Sequence, residues 1–229
     1  MDDRAASHDS PGRRMKVAIH QPDLLPWPGF WFKMLNSDRF VLAVHDQLQK
    51  HWVQRRVTMR DSWVTLPLET KPHLIPINET IVKPGWQDHL ESSITGRYRG
   101  ARHWKDRSGD VFEMIHAVDS HNLADINHRL ILAMRDYLGI TTEVVVTDPP
   151  QAKAADRVLE QLQMVGATSY LSGTGAKDYL GEEAQAKFRE LGIGLEFSDH
   201  HKTTGDSIVT VLMDFDDPLE IVTKAAAPH

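Results

Sequence analysis

The chain has 229 residues, 32 acidic against 26 basic side chains, a net charge of −6 at pH 7 and no cysteine. Disulfides, thiolate zinc sites and a cysteine nucleophile are thereby excluded, and the acidic balance argues against a generic nucleic-acid or anionic-membrane surface. No apolar run is long enough to span a bilayer and the start of the chain has no hydrophobic signal segment, so a soluble cytoplasmic protein without a membrane partner is expected.

Residues 1–14 are polar and aperiodic and read as a disordered leader, with residues 15–229 as one domain. Val17, Ala18 and Ile19 have the continuous apolar character of a buried strand, which His20, Gln21 and Pro22 stop. Pro22, Pro26 and Pro28 fix φ at three positions and make the following loop stiff. From Gly29 onward, Phe30, Trp31, Met34 and Leu35 fall on one helical face, and Lys33 sits on its flank, turned toward the loop or solvent. Residues 36–38 end that helix and residues 40–44 make a second buried strand. Beyond it, residues 45–56 gather His45, Asp46, Lys50, His51, Trp52, Gln54, Arg55 and Arg56. Polar groups just past two strand ends mark a site in an open α/β sheet.

Downstream, residues 63–68 suggest a strand, residues 73–81 are ambiguous around Pro76, and a helix through Trp86, Leu90 and Ile94 should end near Gly96. The stretch 97–110 holds Arg97, Arg99, Arg102, Lys105 and Arg107 between Tyr98, His103 and Trp104, and is the one strongly basic segment. Helices are predicted over 111–118 and 123–138, the latter closed by Gly139, then a strand over 143–147 and a helix over 152–164 closed by Gly166. A very short strand at 169–171 leads into a turn of Ser172, Gly173, Thr174 and Gly175, followed by Lys177 and Tyr179. A helix over 182–191 and an edge strand at 195–197 come next, and the apolar run 208–213 fits either helix or strand. Roughly five or six strands alternating with five helices predict a three-layer α/β fold with a mostly parallel, Rossmann-like sheet.

Within this frame His20 is a candidate base or phosphate ligand, because an imidazole at a strand end suits proton transfer near neutrality. Asp46 can orient a histidine, bind a divalent ion or cap a turn. Gln21, Lys50 and Arg55 are candidate anchors for an anionic substrate, and Trp27 and Trp52 candidate walls, although tryptophan more often only packs. The backbone of Ser172 and Gly173, with Lys177 and Tyr179 beyond, could hold an anion, as could Lys33 together with Gly29. No HExxH or evenly spaced ligand triad exists, so no dedicated metal site is predicted; a cofactor is not identified, and magnesium would enter only with a substrate.

Several of these runs carry a family likeness. IHQP at 19–22, LPWPGFWFKM at 25–34, SDRFV at 37–41, Asp46, WVQR at 52–55, and YLSG at 170–173 followed by Lys177 and Tyr179 resemble the WbqC-like family of bacterial proteins over most of 17–213. The resemblance implies work on an activated sugar or a carrier-bound small acid in surface-polysaccharide or specialised-metabolite biosynthesis. The chain departs from the family pattern at His45, where another carboxylate is common, and at Thr210, where an aspartate is common three residues after Ser207. A weaker likeness to nucleotidylyltransferases with a Rossmann-like sheet lies in the strand, Pro-containing loop and Gly-started helix. Phe30 stands there in place of one of that family's two histidines.

The expected function is a group-transfer enzyme that moves an acyl, aminoacyl or similar small group from an activated donor to an amine or hydroxyl. The donor has an anionic part, such as a nucleotide-sugar or carrier-bound acyl. His20 would be the base, Asp46 its orienter or a substrate binder, and Arg55 with a basic lid at 97–107 would hold the donor's charge. Nucleotidyl transfer and small-molecule binding without turnover are the alternatives.

Overall fold

Val17, Ala18 and Ile19 are buried, as a strand covered on both faces requires, and they form β1 (Lys16–His20) of a five-stranded parallel sheet. The other strands are β2 (Arg39–Leu42), β5 (Glu143–Val145), β6 (Ser169–Ser172) and β7 (Gly194–Phe197), in the order β5-β2-β1-β6-β7. β1 pairs in parallel with β2 on one side and with β6 on the other. The chain therefore winds outward through β2 and β5, returns beside β1, and winds outward again to β7. The strand order reverses between β1 and β6, the place where an open α/β sheet leaves a crevice at its carboxyl edge. The computed structural model describes residues 14–48, 53–69, 75–173, 180–200 and 204–224; the expected leader lies outside them except for Arg14.

Alternation along the strands sorts the core into two layers. Ala18, Phe40 and Leu42 pack with Phe30, Trp31 and Met34 of α1 (Pro28–Leu35), and with apolar residues of α4 (Leu123–Tyr137) and α7 (Ile208–Asp214). Val17, Ile19, Val41 and Ala43 face the other way, against Leu159 and Leu162 of α5 (Ala154–Met164) and Phe188 of α6 (Glu182–Glu190). The result is a three-layer, Rossmann-like architecture. The glycines expected to end α4 and α5, Gly139 and Gly166, have φ of +70° and +68°, the left-handed conformation in which a helix closes without steric cost.

A separate antiparallel hairpin, β3 (Arg56–Met59) and β4 (Ser62–Thr65), turns through Arg60 and Asp61, both at positive φ. Three contacts hold Arg60 there. Its backbone N–H donates to Asp206, its guanidinium bonds Asp214 at 2.6 Å, and the same group lies 4.9 Å from the Tyr98 ring centroid.

α2 (Trp86–Tyr98) runs past Gly96, because Tyr98 is fully buried and its hydroxyl meets Thr210 of α7 at 2.6 Å. That burial outweighs the roughly 1 kcal/mol that glycine costs a helix interior. The ambiguous run 208–213 is helix, started by Ser207, whose Oγ accepts from the Val209 N–H and donates to the Leu25 carbonyl. α3 (Trp104–His116) takes in much of the basic stretch, and α8 (Pro218–Thr223) follows α7. Among the described residues no helix is long and apolar enough to cross a membrane.

Candidate functional site at the sheet switch point

His20 closes β1 and Ser172 closes β6, so both stand at the carboxyl edge where the strand order reverses. A pocket of about 100 Å³ opens there. His20, Lys33 and His200 supply polar groups, Trp27 and Phe30 aromatic walls, and Gly29, Gly173 and Ser198 the remaining described lining. The first turn of α1 borders it, where Pro28 has no N–H and the Phe30 N–H already donates to the Trp27 carbonyl at 3.1 Å. A larger hollow of about 540 Å³ lies on α3 and α4, between Asp110, Met114, Arg129 and Tyr137. It contains no strand end and none of the residues singled out for chemistry.

The His20 ring stands edge-on to Phe30, centroids 4.9 Å apart. Its Nδ1 lies 2.9 Å from the Gln21 carbonyl, which can only accept, so Nδ1 carries the proton and Nε2 the lone pair. Among the described residues Nε2 has no hydrogen-bond partner. Burial, with the nearby Lys33 cation, holds the imidazole far below its ordinary range, to about 3, against the smaller opposing effect of the Gln21 carbonyl. The ring is therefore neutral at physiological pH, with a lone pair on Nε2 that can accept a hydrogen bond or a proton.

Beneath it lie two buried charges. Asp23, 2% exposed, has Oδ2 3.7 Å from His20 Nδ1, and its Oδ1 accepts from Gln54 Nε2 at 3.2 Å. Burial raises its carboxyl to about 7, although Lys33 and Gln54 both favour the ionised form. Lys33 is 5% exposed, and its Nζ donates to the Ile19 carbonyl at 2.8 Å. Burial lowers its ammonium to about 7, opposed by Asp23. Of the two directions expected for Lys33, toward the loop or solvent, the solvent one is corrected, and the side chain stays beside Asp23 of the loop. α1 has eight residues, seven of them buried, so a flank position has no solvent to reach and the side chain turns under the end of β1.

A second polar group runs along the same edge. Asp46, after β2, accepts from Gln21 Nε2 through Oδ2 and from Arg157 Nε through Oδ1, both at 2.9 Å. The Gln54 amide donates to Gln21 Oε1 at 2.6 Å as well as to Asp23, which joins the two groups. Fully buried Asn127 pins the loop beneath, donating to the Pro22 and Gln54 carbonyls at 2.7 Å each. Both carboxylate oxygens of Asp46 are thus engaged and neither meets His20. The contacts that orient His20 come from the Gln21 carbonyl, and the carboxylate nearest it is Asp23.

The remaining expected residues are distributed more widely. Ser172 is fully buried, with no partner for its Oγ among the described residues, and Gly173 lines the pocket. Arg55, in the turn before β3, has its guanidinium pKa lowered by burial and then by Arg56; it is not among the described pocket lining. Lys50, Trp52, Lys177 and Tyr179 lie outside the described residues, as does His51. His45 places Nε2 3.2 Å from the Thr147 carbonyl and Nδ1 3.2 Å from the Asn78 amide. Thr210 bonds Tyr98 inside the core. Both departures from the family pattern therefore sit outside the described lining.

The expected basic lid is also corrected. Arg107 donates to the carbonyls of Leu212, Phe215 and Asp216, each at 2.8 Å, while Arg102 and His103 meet the Asp216 carboxylate. Arg97 reaches back to the Ser93 carbonyl. Carbonyls at a helix end have no intrahelical donor, and an arginine fork satisfies several at once. Arg102, His103 and Arg107 close the end of α7, and neither they nor Arg97 are among the described pocket lining. Among the described residues no group of three or more His, Cys, Asp or Glu could hold a metal ion.

Asp23, Arg157, Ser198 and His200 were not singled out from the sequence. Asp23 had a signal: it follows His20 by three residues in the same Pro-rich loop. Arg157 had none, because one arginine on an amphipathic helix reads as a solvated charge, and His200 joins the pocket only through the placement of β7.

A model of the WbqC-like protein family matches residues 21–205. The chain is also similar to a Mycobacterium tuberculosis (strain ATCC 25618 / H37Rv) protein named Uncharacterized protein Rv1507c, 29% identical over 196 residues, which make up 81% of this chain and 82% of that protein. No solved structure matches.

Proposed function

The chain belongs to the WbqC-like protein family, and on that premise we propose that it is a group-transfer enzyme passing an acyl, aminoacyl or similar small group from an activated donor to an amine or hydroxyl. The observation that carries this reading is His20: a neutral imidazole with its lone pair on Nε2, on the lining of a pocket at the sheet switch point. The acceptor's nitrogen or oxygen forms the new bond to the donor's acyl carbon, and the bond to the leaving group breaks with its electron pair going to that group. His20 Nε2 takes the proton the acceptor loses and returns it to the leaving group. Gln21, Asp46 and Arg157 bind the polar body of a substrate along the same edge, and Lys33, on the pocket lining, faces its anionic part. Surface-polysaccharide or specialised-metabolite biosynthesis is the setting this reading assigns.

Nucleotidyl transfer is the second reading, favoured by the reversal of strand order beside a helix with Gly29 in its first turn. The aromatic rings of Trp27 and Phe30 on either side of that glycine count against it. One experiment separates the two. The protein is incubated with nucleotide-sugars, acyl-thioesters and nucleoside triphosphates in the presence of amine and hydroxyl acceptors, and products are read by mass. Acyl transfer lost by roughly 10²-fold or more in His20→Asn supports the first reading. Pyrophosphate release supports the second, and equal turnover by the variant removes His20 as the base.

A further inference from the structure

Lys33 is 5% exposed yet lies on the lining of the switch-point pocket, with Nζ 5.9 Å from the centroid of the buried Phe40 ring. The Ile19 carbonyl takes one of its N–H groups at 2.8 Å, and among the described residues Nζ makes no second hydrogen bond and no salt bridge. A lysine buried as a permanent cation is ordinarily paired. The charged and titratable groups around this one are Asp23 on the Pro-rich loop, His20 at the end of β1 and, across the lining, His200. Burial outweighs the opposing Asp23 carboxylate and brings the ammonium down to about 7. At neutral pH about half of it is then free amine, against roughly one part in three thousand for an ordinary lysine. His20, on the same lining, holds its lone pair on Nε2. An amine kept from water inside a cleft, beside an imidazole that can move its protons, is the setting in which lysine attacks carbonyl carbon.

We propose that Lys33 is a covalent binding site, whose Nζ forms an imine with the carbonyl carbon of a small aldehyde or ketone entering the switch-point pocket while His20 moves the proton. The nitrogen lone pair attacks the carbonyl carbon, and the π electrons of the C=O bond pass to oxygen. His20 Nε2 carries one proton from that nitrogen to the oxygen, which gives a carbinolamine. A second proton, from solvent, lets the hydroxyl leave as water while the nitrogen lone pair closes the C=N bond, so that amine, carbonyl and proton become iminium and water. This activity goes beyond the transfer reading and does not rest on it. In transfer Lys33 meets an anion as the ammonium, whereas here the same nitrogen acts in its unprotonated form.

Reductive trapping on the intact chain tests this. The protein is incubated at pH 7 with acetaldehyde, hydroxyacetone or pyruvate and with cyanoborohydride, which gives hydride to an iminium carbon and fixes the adduct as a secondary amine. Digestion and mass spectrometry then read the labelling rate at each lysine. With at least one probe Lys33 is expected to label at least about tenfold faster than the exposed Lys83, Lys105 and Lys153. Its rate should level off above pH 7 while theirs keep rising. His20→Asn should slow Lys33 by at least about tenfold and leave the exposed lysines unchanged; His20→Gln serves if the asparagine variant does not fold. Labelling of Lys33 no faster than the exposed lysines with all three probes, or an unchanged Lys33 rate in the His20 variant, would overturn the proposal. The transfer reading is untouched by these results and fails separately if product formation survives in His20→Asn.

Discussion

Replacing Asp23 with asparagine should change how the protein's stability depends on pH. A carboxyl that holds its proton more tightly folded than unfolded contributes stability that is complete below pH 3.8 and is lost as pH climbs through about 7. A rise of about three pH units at 1.36 kcal/mol each corresponds to about 4 kcal/mol, of which about 3 kcal/mol disappears between pH 4 and pH 7. His20 acts in the opposite sense. Its pKa is depressed to about 3, so its contribution is present above pH 6.5 and is lost as pH falls toward 3. Lys33, depressed to about 7, acts mainly above neutrality. Between pH 4 and 6.5 the slopes of Asp23 and His20 nearly cancel in the unmodified protein. Asparagine keeps the acceptor for Gln54, removes the titration and removes the charge that opposes the lowering of Lys33, a change of the same sign, so the variant's stability should rise across that window. Urea unfolding at half-unit steps from pH 4 to 7.5 reads this directly. The difference between variant and unmodified protein should shift in the variant's favour by about 3 kcal/mol from pH 4 to pH 7. A difference that stays flat would refute the raised carboxyl and, with it, the account of a buried Asp23 and Lys33 beneath His20.

Arg107→Ala leaves three carbonyls at the end of α7 without their donor and should cost about 3 kcal/mol by chemical denaturation, with turnover per folded molecule unchanged; a large loss of turnover would restore the lid. Gly29→Ala puts a methyl group against the Trp27 indole and should displace the ring, read as altered tryptophan fluorescence together with at least about a tenfold loss of product formation, about 1.4 kcal/mol. Thr210→Val removes the partner of the buried Tyr98 hydroxyl and should cost about 1–2 kcal/mol in urea unfolding while transfer rates hold, so a fall in rate would give this departure from the family pattern a role in the reaction.

The part of the chain that organises the fold was the most legible, for a physical reason. Val17, Ala18 and Ile19 form a short run that must be covered on both faces, and Pro28 with Gly29 can start a helix but cannot continue a strand. β1, the helix and β2 were therefore readable in order, and His20 fell at the strand end where the pocket opens. Whether Lys33 met the loop or solvent was not legible, because helical periodicity tells which side of a helix a residue occupies and not whether that side meets water. On an eight-residue helix buried along seven positions, every side meets protein. The basic stretch was misread because charge along the sequence does not show what the charges face; the carbonyls of residues 212, 215 and 216 that bind Arg107 lie more than a hundred residues away. The same separation hid His200 and Arg157, whose place beside the candidate site depends on tertiary packing.

The account stands most directly on the protonation state of one ring. In protein labelled with ¹⁵N-histidine, the His20 nitrogens can be assigned by comparison with His20→Asn and followed from pH 8 to pH 4.5. Nδ1 should resonate as the protonated nitrogen and Nε2 as the unprotonated one throughout, with no titration near pH 6.5. A proton on Nε2, or a midpoint near 6.5, would contradict the assignment of His20 as a neutral base with its lone pair free at the switch point.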